Sequence, residues 1–115
     1  MIKTAEQMRV ELRERMRGGT GTVQIMHVFE QEELQGKCRL LARVTLEPNT
    51  SIGPHPHDSE EEVYYILRGR ARVMDDGQER ELEPGDAVLT GGGRSHAIAN
   101  AGDEPLEFMA VILTY

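Results

Sequence analysis

From Gly21 onward the patterned stretches of this chain are short, most alternate apolar with polar residues, and turn-forming clusters separate them. Successive side chains on a strand point to opposite faces, so such stretches read as strands with one buried face. Val23, Ile25, His27 and Phe29 share one side, and Leu40, Ala42, Val44 and Leu46 follow after the Gln35-Gly36 break. Glu47-Pro48-Asn49, Gly69, Asp76-Gly77, Pro84-Gly85-Asp86 and Gly91-Gly92-Gly93 supply turn and loop chemistry. Between them, residues 63–67, 71–74, 79–82, 87–89, 96–100 and 106–113 read as further strands. Many short strands with regular turns predict an all-β sandwich or barrel. Ahead of them, Ala5, Met8, Leu12 and Met16 fall at helical spacing and the pattern stops at Gly18-Gly19, which predicts a short amphipathic N-terminal α-helix over 5–17. The expected organisation is a helical arm over residues 1–20 and one barrel domain over residues 21–115.

Composition sets the function classes. At 115 residues the chain is long enough for one domain with a core of its own, and too short for two. Cys38 is the single cysteine, so no internal disulfide forms, and the N-terminus lacks the apolar region of a signal peptide. A cytoplasmic location in a reducing compartment is expected. No apolar run approaches the roughly 20 residues of a spanning helix, which argues against a membrane home. Thirteen basic against twenty acidic residues give a net charge of −7, and such a surface repels a phosphate backbone, so no nucleic-acid partner is expected.

Against this background one constellation carries chemistry. His55 and His57 are two apart, so on a strand both imidazoles aim at one point, and Glu62 and a later His96 complete the set. Neutral imidazoles and an ionised carboxylate are suitable donors for a divalent first-row ion, with positions left over for water or substrate. The set predicts a metal site of His55, His57, Glu62 and His96.

These residues also carry a family resemblance. Pro48 to Gly69, with His55-Pro56-His57, Glu62 and Gly69, is similar to the first motif of the cupin superfamily, and Gly85-Asp86 through Gly93, His96 and Asn100 resembles the second. The resemblance implies a small double-stranded β-helix, or jelly-roll, barrel holding Mn, Fe, Ni, Co, Cu or Zn at its open end, with manganese or iron the first expectation. Two positions depart from the pattern. Asn49 stands where the first motif opens with glycine, and asparagine tolerates a left-handed backbone best among the other residues. Gly91 stands where the second motif has proline, which predicts a looser loop ahead of His96. Of the three adjacent glutamates, the family's spacing back from Gly69 selects Glu62. Glu61 points away, and Glu60 reads as a solvated loop charge unless the strand begins early.

Periodicity nominates further pocket residues. Tyr64 shares a face with Glu62, and Asn100 with His96, so both are candidates to orient ligands or substrate. Tyr64 and His27 are the candidate catalytic proton carriers, weighed against plain core packing for Tyr64 and a buried or interface role for His27. Arg43 lies opposite the apolar set of its strand, and Cys38 reads as a small strand residue. Val63, Tyr65 and Leu67 oppose the inward set and Phe108 to Leu113 is apolar throughout, so something covers the outer face, either the N-terminal helix or a second subunit. The usual cupin dimer makes a homodimer the expectation.

The function reading is a metal-binding protein acting on a small carboxylate, keto or enediol compound, as a metal-dependent decarboxylase or dioxygenase. The alternative is a non-catalytic module that anchors a small ligand on its metal for binding or sensing. Oxalate is disfavoured as substrate, because oxalate decarboxylases resemble one another in an arginine three residues before the first histidine, where this chain has Ile52.

Overall fold

A computed structural model describes residues 1–115. Ten strands run in order: β1 (Arg9–Glu14), β2 (Thr22–His27), β3 (Cys38–Leu46), β4 (Ser51–Pro56), β5 (Glu60–Arg68), β6 (Ala71–Asp75), β7 (Gln78–Leu82), β8 (Ala87–Gly91), β9 (Ser95–Asn100) and β10 (Leu106–Thr114). They form a six-stranded sheet in the order β1-β2-β3-β10-β5-β8 and a four-stranded sheet in the order β4-β9-β6-β7. Every pairing is antiparallel. No helix is long and apolar enough to cross a membrane.

The core lies between the two inner faces and follows the alternation. Val23 and Ile25 of β2, Ala42, Val44 and Leu46 of β3, Tyr64 and Ile66 of β5, and Val73 of β6 are buried. The apolar run in β10 also resolves by position. Leu106, Phe108, Ala110 and Ile112 are buried, while Met109 and Val111 between them are half-buried on the outer face. β10 lies between β3 and β5, so its backbone is paired on both edges and its apolar character serves both faces. Asn49 adopts φ +67, the left-handed conformation that its place in the turn before β4 requires.

The N-terminal α-helix does not form. Ala5–Gln7 and Met16–Gly18 are isolated 3₁₀ turns, and the segment between them is strand β1. β1 pairs with β2 from Arg9 opposite His27 to Glu14 opposite Thr22. Residues 9–13 also read with period two: Glu11 pairs opposite the inward Ile25, while Val10 and Leu12 lie on the outer face and are exposed. An uncovered β2 edge leaves a row of unpaired backbone groups, and pairing them outweighs the few tenths of a kcal/mol per residue by which helix propensity favours the alternative.

Strand β4 carries a bulge that the alternation does not reveal. Ile52 pairs with Ile98 and His55 with His96, so one extra residue lies on the β4 side, within Gly53-Pro54. Gly53 is required there, because a Cβ would sit 2.1 Å from the Arg17 carbonyl oxygen. We expect Gly53→Ala to lower stability by about 1–3 kcal/mol, the usual cost of forcing an extra carbon into a packed contact. A urea titration with an unchanged midpoint would show that the 16–18 turn moves away freely.

Candidate metal centre

The bulge sets His55 on β4 directly opposite His96 on β9, and His57 follows at the end of β4. Glu62 comes from β5 in the other sheet, so the cluster joins the two sheets. All four residues are buried, and one donor atom from each lies within 4.8 Å of the others. His96 Nε2 is 3.0 Å from His57 Nε2, 3.1 Å from His55 Nε2 and 3.0 Å from Glu62 Oε1. Glu62 Oε1 is 2.9 Å from His57 Nε2 and 4.0 Å from His55 Nε2.

This arrangement fits a cation better than it fits hydrogen bonds. A ring nitrogen carries at most one proton, yet His96 Nε2 faces three partners at hydrogen-bond distance, two of them nitrogens. The outer nitrogens of two rings explain which atoms turn inward. His55 Nδ1 donates to the Gly53 carbonyl at 2.8 Å, and His57 Nδ1 donates to Glu60 Oε2 at 2.5 Å. Each outer proton leaves the Nε2 lone pair facing the cluster, and an acceptor behind the ring prepares a histidine ligand in this way. His96 Nδ1 is buried without a partner, and that ring is held instead by Tyr64, stacked on it at 4.6 Å and 12°. The separations are informative too. With metal–donor bonds of about 2.1 Å, adjacent donors lie about 3.0 Å apart on an octahedral ion and about 3.4 Å apart on a tetrahedral one. The four short separations, 2.9 to 3.1 Å, match octahedral edges.

Electrostatics keep the carboxylates ionised. Burial pushes the Glu62 carboxyl up, but the surrounding His55, His57 and His96 rings outweigh it and hold the group far below the usual carboxylate range. The Glu62 carboxylate raises His57, against the opposing effect of burial, and Glu60 adds to the rise. Burial lowers His96. Glu60 is pulled down to about 2, chiefly by Arg39, whose Nε and Nη2 each donate to it at 2.8 Å.

Glu60 is the residue that sequence reasoning misplaced. β5 begins at Glu60, so the residue shares the inner face with Glu62 and supports His57 rather than sitting in a solvated loop. Its signal was the alternation itself, extended one step before Glu62. We expect Glu60→Gln to weaken metal affinity about 10- to 100-fold, the range typical of outer-shell partners of ligating histidines. Competition with a fluorescent chelator reads this directly, and unchanged affinity would mean that the His57 ring is oriented by packing alone.

The cluster opens into a cavity of about 100 Å³. Ile25, Val44, Ile52, Phe108, Ala110 and Ile112 give it an apolar sleeve around His55, His57, Glu62 and Tyr64, and Arg13, Arg17 and Arg39 contribute cationic side chains. His27 lines it as well, with Nε2 2.9 Å from Glu11 Oε1, and the bond to His27, followed by one from Arg13, lowers the Glu11 carboxyl. Tyr64 is buried in the wall, and burial, reinforced by the Glu62 charge, pushes its phenol well above the ordinary value. Asn100 is not part of this site. Its side chain donates to the Leu46 and Glu104 carbonyls and accepts from the Gly102 amide, closing a loop. Arg43 faces outward toward Glu107 at 3.7 Å, and Cys38 Sγ points to the Leu40 carbonyl. The loop before His96 is tied at both ends, since Gly93 donates to the His57 carbonyl and His57 donates to the Arg94 carbonyl. A Cβ at Gly91 would lie 2.6 Å from the Glu61 Cβ, so glycine here lets β8 approach β5.

Comparison with known proteins agrees with this geometry. A family model described as the cupin domain matches residues 42–112. A protein of Thermotoga maritima named oxalate-binding protein is 40% identical over 113 residues, which cover 98% of this chain and 93% of that one. A crystal structure of a predicted oxalate decarboxylase from Thermotoga maritima superposes with a TM-score of 0.94 at 39% identity, covering 100% of both chains. A polyketide cyclase from Streptomyces resistomycificus has a TM-score of 0.78 at 21% identity, over 99% of this chain and 80% of that one, and shares the fold. Two sheets closing around a His-x-His, glutamate and histidine cluster, with the family match across both motifs, make this chain a member of the cupin family.

Proposed function

We propose that His55, His57, Glu62 and His96 hold a divalent transition ion, manganese or iron foremost, and that the ion anchors a small carboxylate ligand in the apolar sleeve. The observation that carries this reading is the buried donor cluster, of which His55, His57 and Glu62 line a small cavity walled by aliphatic and aromatic side chains together with Arg13, Arg17 and Arg39. A metal bound there supplies Lewis acidity and a charge that a carboxylate, keto or enediol group can share. The protein's own groups exclude water and fix the ligand's orientation.

Oxalate returns as a candidate on the name of the Thermotoga maritima relative. Ile52 is buried in the cavity wall and offers no charge, so oxalate would depend on the ion for its grip. Binding without turnover is favoured by the aliphatic and aromatic side chains, Ile25, Val44, Ile52 and Phe108 among them, that line the cavity beside the cluster. Turnover is a second reading, favoured by the His27–Glu11 pair in the cavity wall, where His27 would move protons while the high Tyr64 phenol stays protonated. Calorimetric titration of oxalate into manganese-loaded protein, with parallel assay of carbon dioxide and formate, tests both. Saturable heat without product supports the binding module, product supports the enzyme, and neither heat nor product removes oxalate.

The outer face of the six-stranded sheet suggests how the chain assembles. Val63 pairs opposite Leu89 and Val111, and Tyr65 opposite Met109, and Tyr65 and Leu89 are exposed. The N-terminal segment is an edge strand rather than a helix across this face. We read the face as the interface with a second copy. Sedimentation of the 12.9 kDa chain should give twice that mass, and Tyr65→Glu should return it to monomer. A wild-type monomer would refute the dimer. A reducing, cytoplasmic setting belongs to the same reading.

A further inference from the structure

Three arginines line the cavity, and two of them are already engaged. Arg13 Nε binds Glu11 at 2.7 Å, and Arg39 is held by both oxygens of Glu60. Arg17 lines the same cavity and makes no ion pair with any carboxylate of the chain. In a chain of twenty acidic residues, a cavity guanidinium without an acidic partner is a group available to a ligand.

The backbone that carries Arg17 is held in an unfavourable conformation. Its φ of 55° and ψ of 31° are left-handed, a conformation that brings the Cβ of any residue other than glycine too close to the following carbonyl oxygen. Such strain persists only where neighbours over-determine it. Here Gly18 donates to the Arg15 carbonyl at 3.0 Å, Gly19 to the Met16 carbonyl at 2.9 Å, and Arg15 to the Gly21 carbonyl at 2.8 Å. The Arg17 carbonyl packs into the space left by the missing Cβ of Gly53, two residues before His55. The position of Arg17 is therefore set against the strand that carries His55 and leads into His57.

We propose that Arg17 is the specificity-determining residue of this cavity, receiving the second anionic group of a ligand whose first end chelates at the His55, His57, Glu62 and His96 cluster. The preferred class is then small 2-hydroxy or 2-oxo dicarboxylates over the matching monocarboxylates. This rests on the metal-anchored carboxylate reading above.

Lactate and malate separate the two ends, since they share the chelating hydroxy acid and differ in the distal carboxylate. With manganese-loaded protein and calorimetry, malate should bind about tenfold more tightly than lactate, which corresponds to one exposed charge-assisted contact. Arg17→Asn keeps a residue that tolerates the left-handed backbone, and Arg17→Gly is a second variant that relaxes it. Both should lose about tenfold for malate, stay within about twofold for lactate, and keep their metal stoichiometry. Arg15→Asn is the control, because Arg15 is also left-handed and does not line the cavity. If malate affinity survives both Arg17 variants, or falls equally in Arg15→Asn, the role of Arg17 is lost while the metal-anchored reading stands. If wild-type protein binds neither acid, both readings are lost.

Discussion

Replacing His57 by alanine should abolish stoichiometric metal binding and, with it, the stabilisation that metal confers. His57 Nε2 is 3.0 Å from His96 Nε2 and 2.9 Å from Glu62 Oε1, and its other nitrogen is the one that Glu60 grips. Outer-shell partners control metal affinity by about 10- to 100-fold, so removing a donor should cost more than about 100-fold. A ligand that binds only the native state at 100 times its Kd adds about 2.7 kcal/mol. For a domain of this size that is on the order of 10 °C in Tm. Wild-type protein should therefore melt on the order of 10 °C higher with manganese than with chelator, and His57→Ala should melt at one temperature in both. The variant should also lie below the metal-free wild type. Glu62 is ionised and buried, and losing the imidazole beside it leaves that charge poorly compensated. Elemental analysis showing wild-type metal content in His57→Ala would remove His57 from the donor set.

The second large effect is a reversal of pH dependence between the two forms of the protein. In the metal-free form, Glu62 foremost raises His57. A group raised on folding contributes stability that is complete below its unfolded value, about 6.5, and is lost as pH rises through the folded one. His96 is lowered by burial, so its contribution runs the other way and is lost as pH falls. Metal binding requires all three rings neutral, and the raised His57 is the proton that competes longest with the ion. Metal should leave with a midpoint near pH 6, well above the carboxylate range, because Glu62 stays ionised throughout. From pH 8 to pH 6 the Tm gain from manganese should shrink, while the His57 contribution to the metal-free protein grows. Metal retained at pH 5 would contradict a three-histidine set. Glu60, held down to about 2, contributes stability above the unfolded carboxylate value and loses it only in strong acid, so it should not shape this window.

Much of the site was legible before any coordinates, and the reasons lie in local geometry. His55 and His57 are two apart on an extended segment, so their common direction follows from the pleat alone. Glu62, Tyr64 and Ile66 alternate with outward residues, and all three are buried as that alternation requires. Apart from Ser51–Pro56, the strands from Thr22 to Thr114 follow the segments read from apolar rhythm and its glycine and proline punctuation, to within a few residues at their ends. Ser51–Pro56 is absent from those segments, because its bulge breaks the period.

The N-terminal segment shows where local pattern stops being sufficient. Within the helical period of residues 5–17, residues 9–13 also satisfy a strand period, and nothing within them states that β2 has an open edge waiting to be paired. The same holds for Asn100, whose register with His96 is correct but whose amide is taken by the Leu46 and Glu104 carbonyls.

The sequence alone therefore determined the β architecture, the family and the four residues that come together as a possible metal site, since each depends on residue type and on a spacing of a few positions along one strand or motif. The tertiary structure decided that β1 is a strand, that the Gly53 bulge sets His55 against His96, that Glu60 and Arg39 stand behind His57, and that Arg17 faces the cavity from a left-handed turn. Each of these is a contact between segments far apart in the chain, chosen by which backbone edges and buried polar groups needed partners, and local periodicity carries no record of that choice.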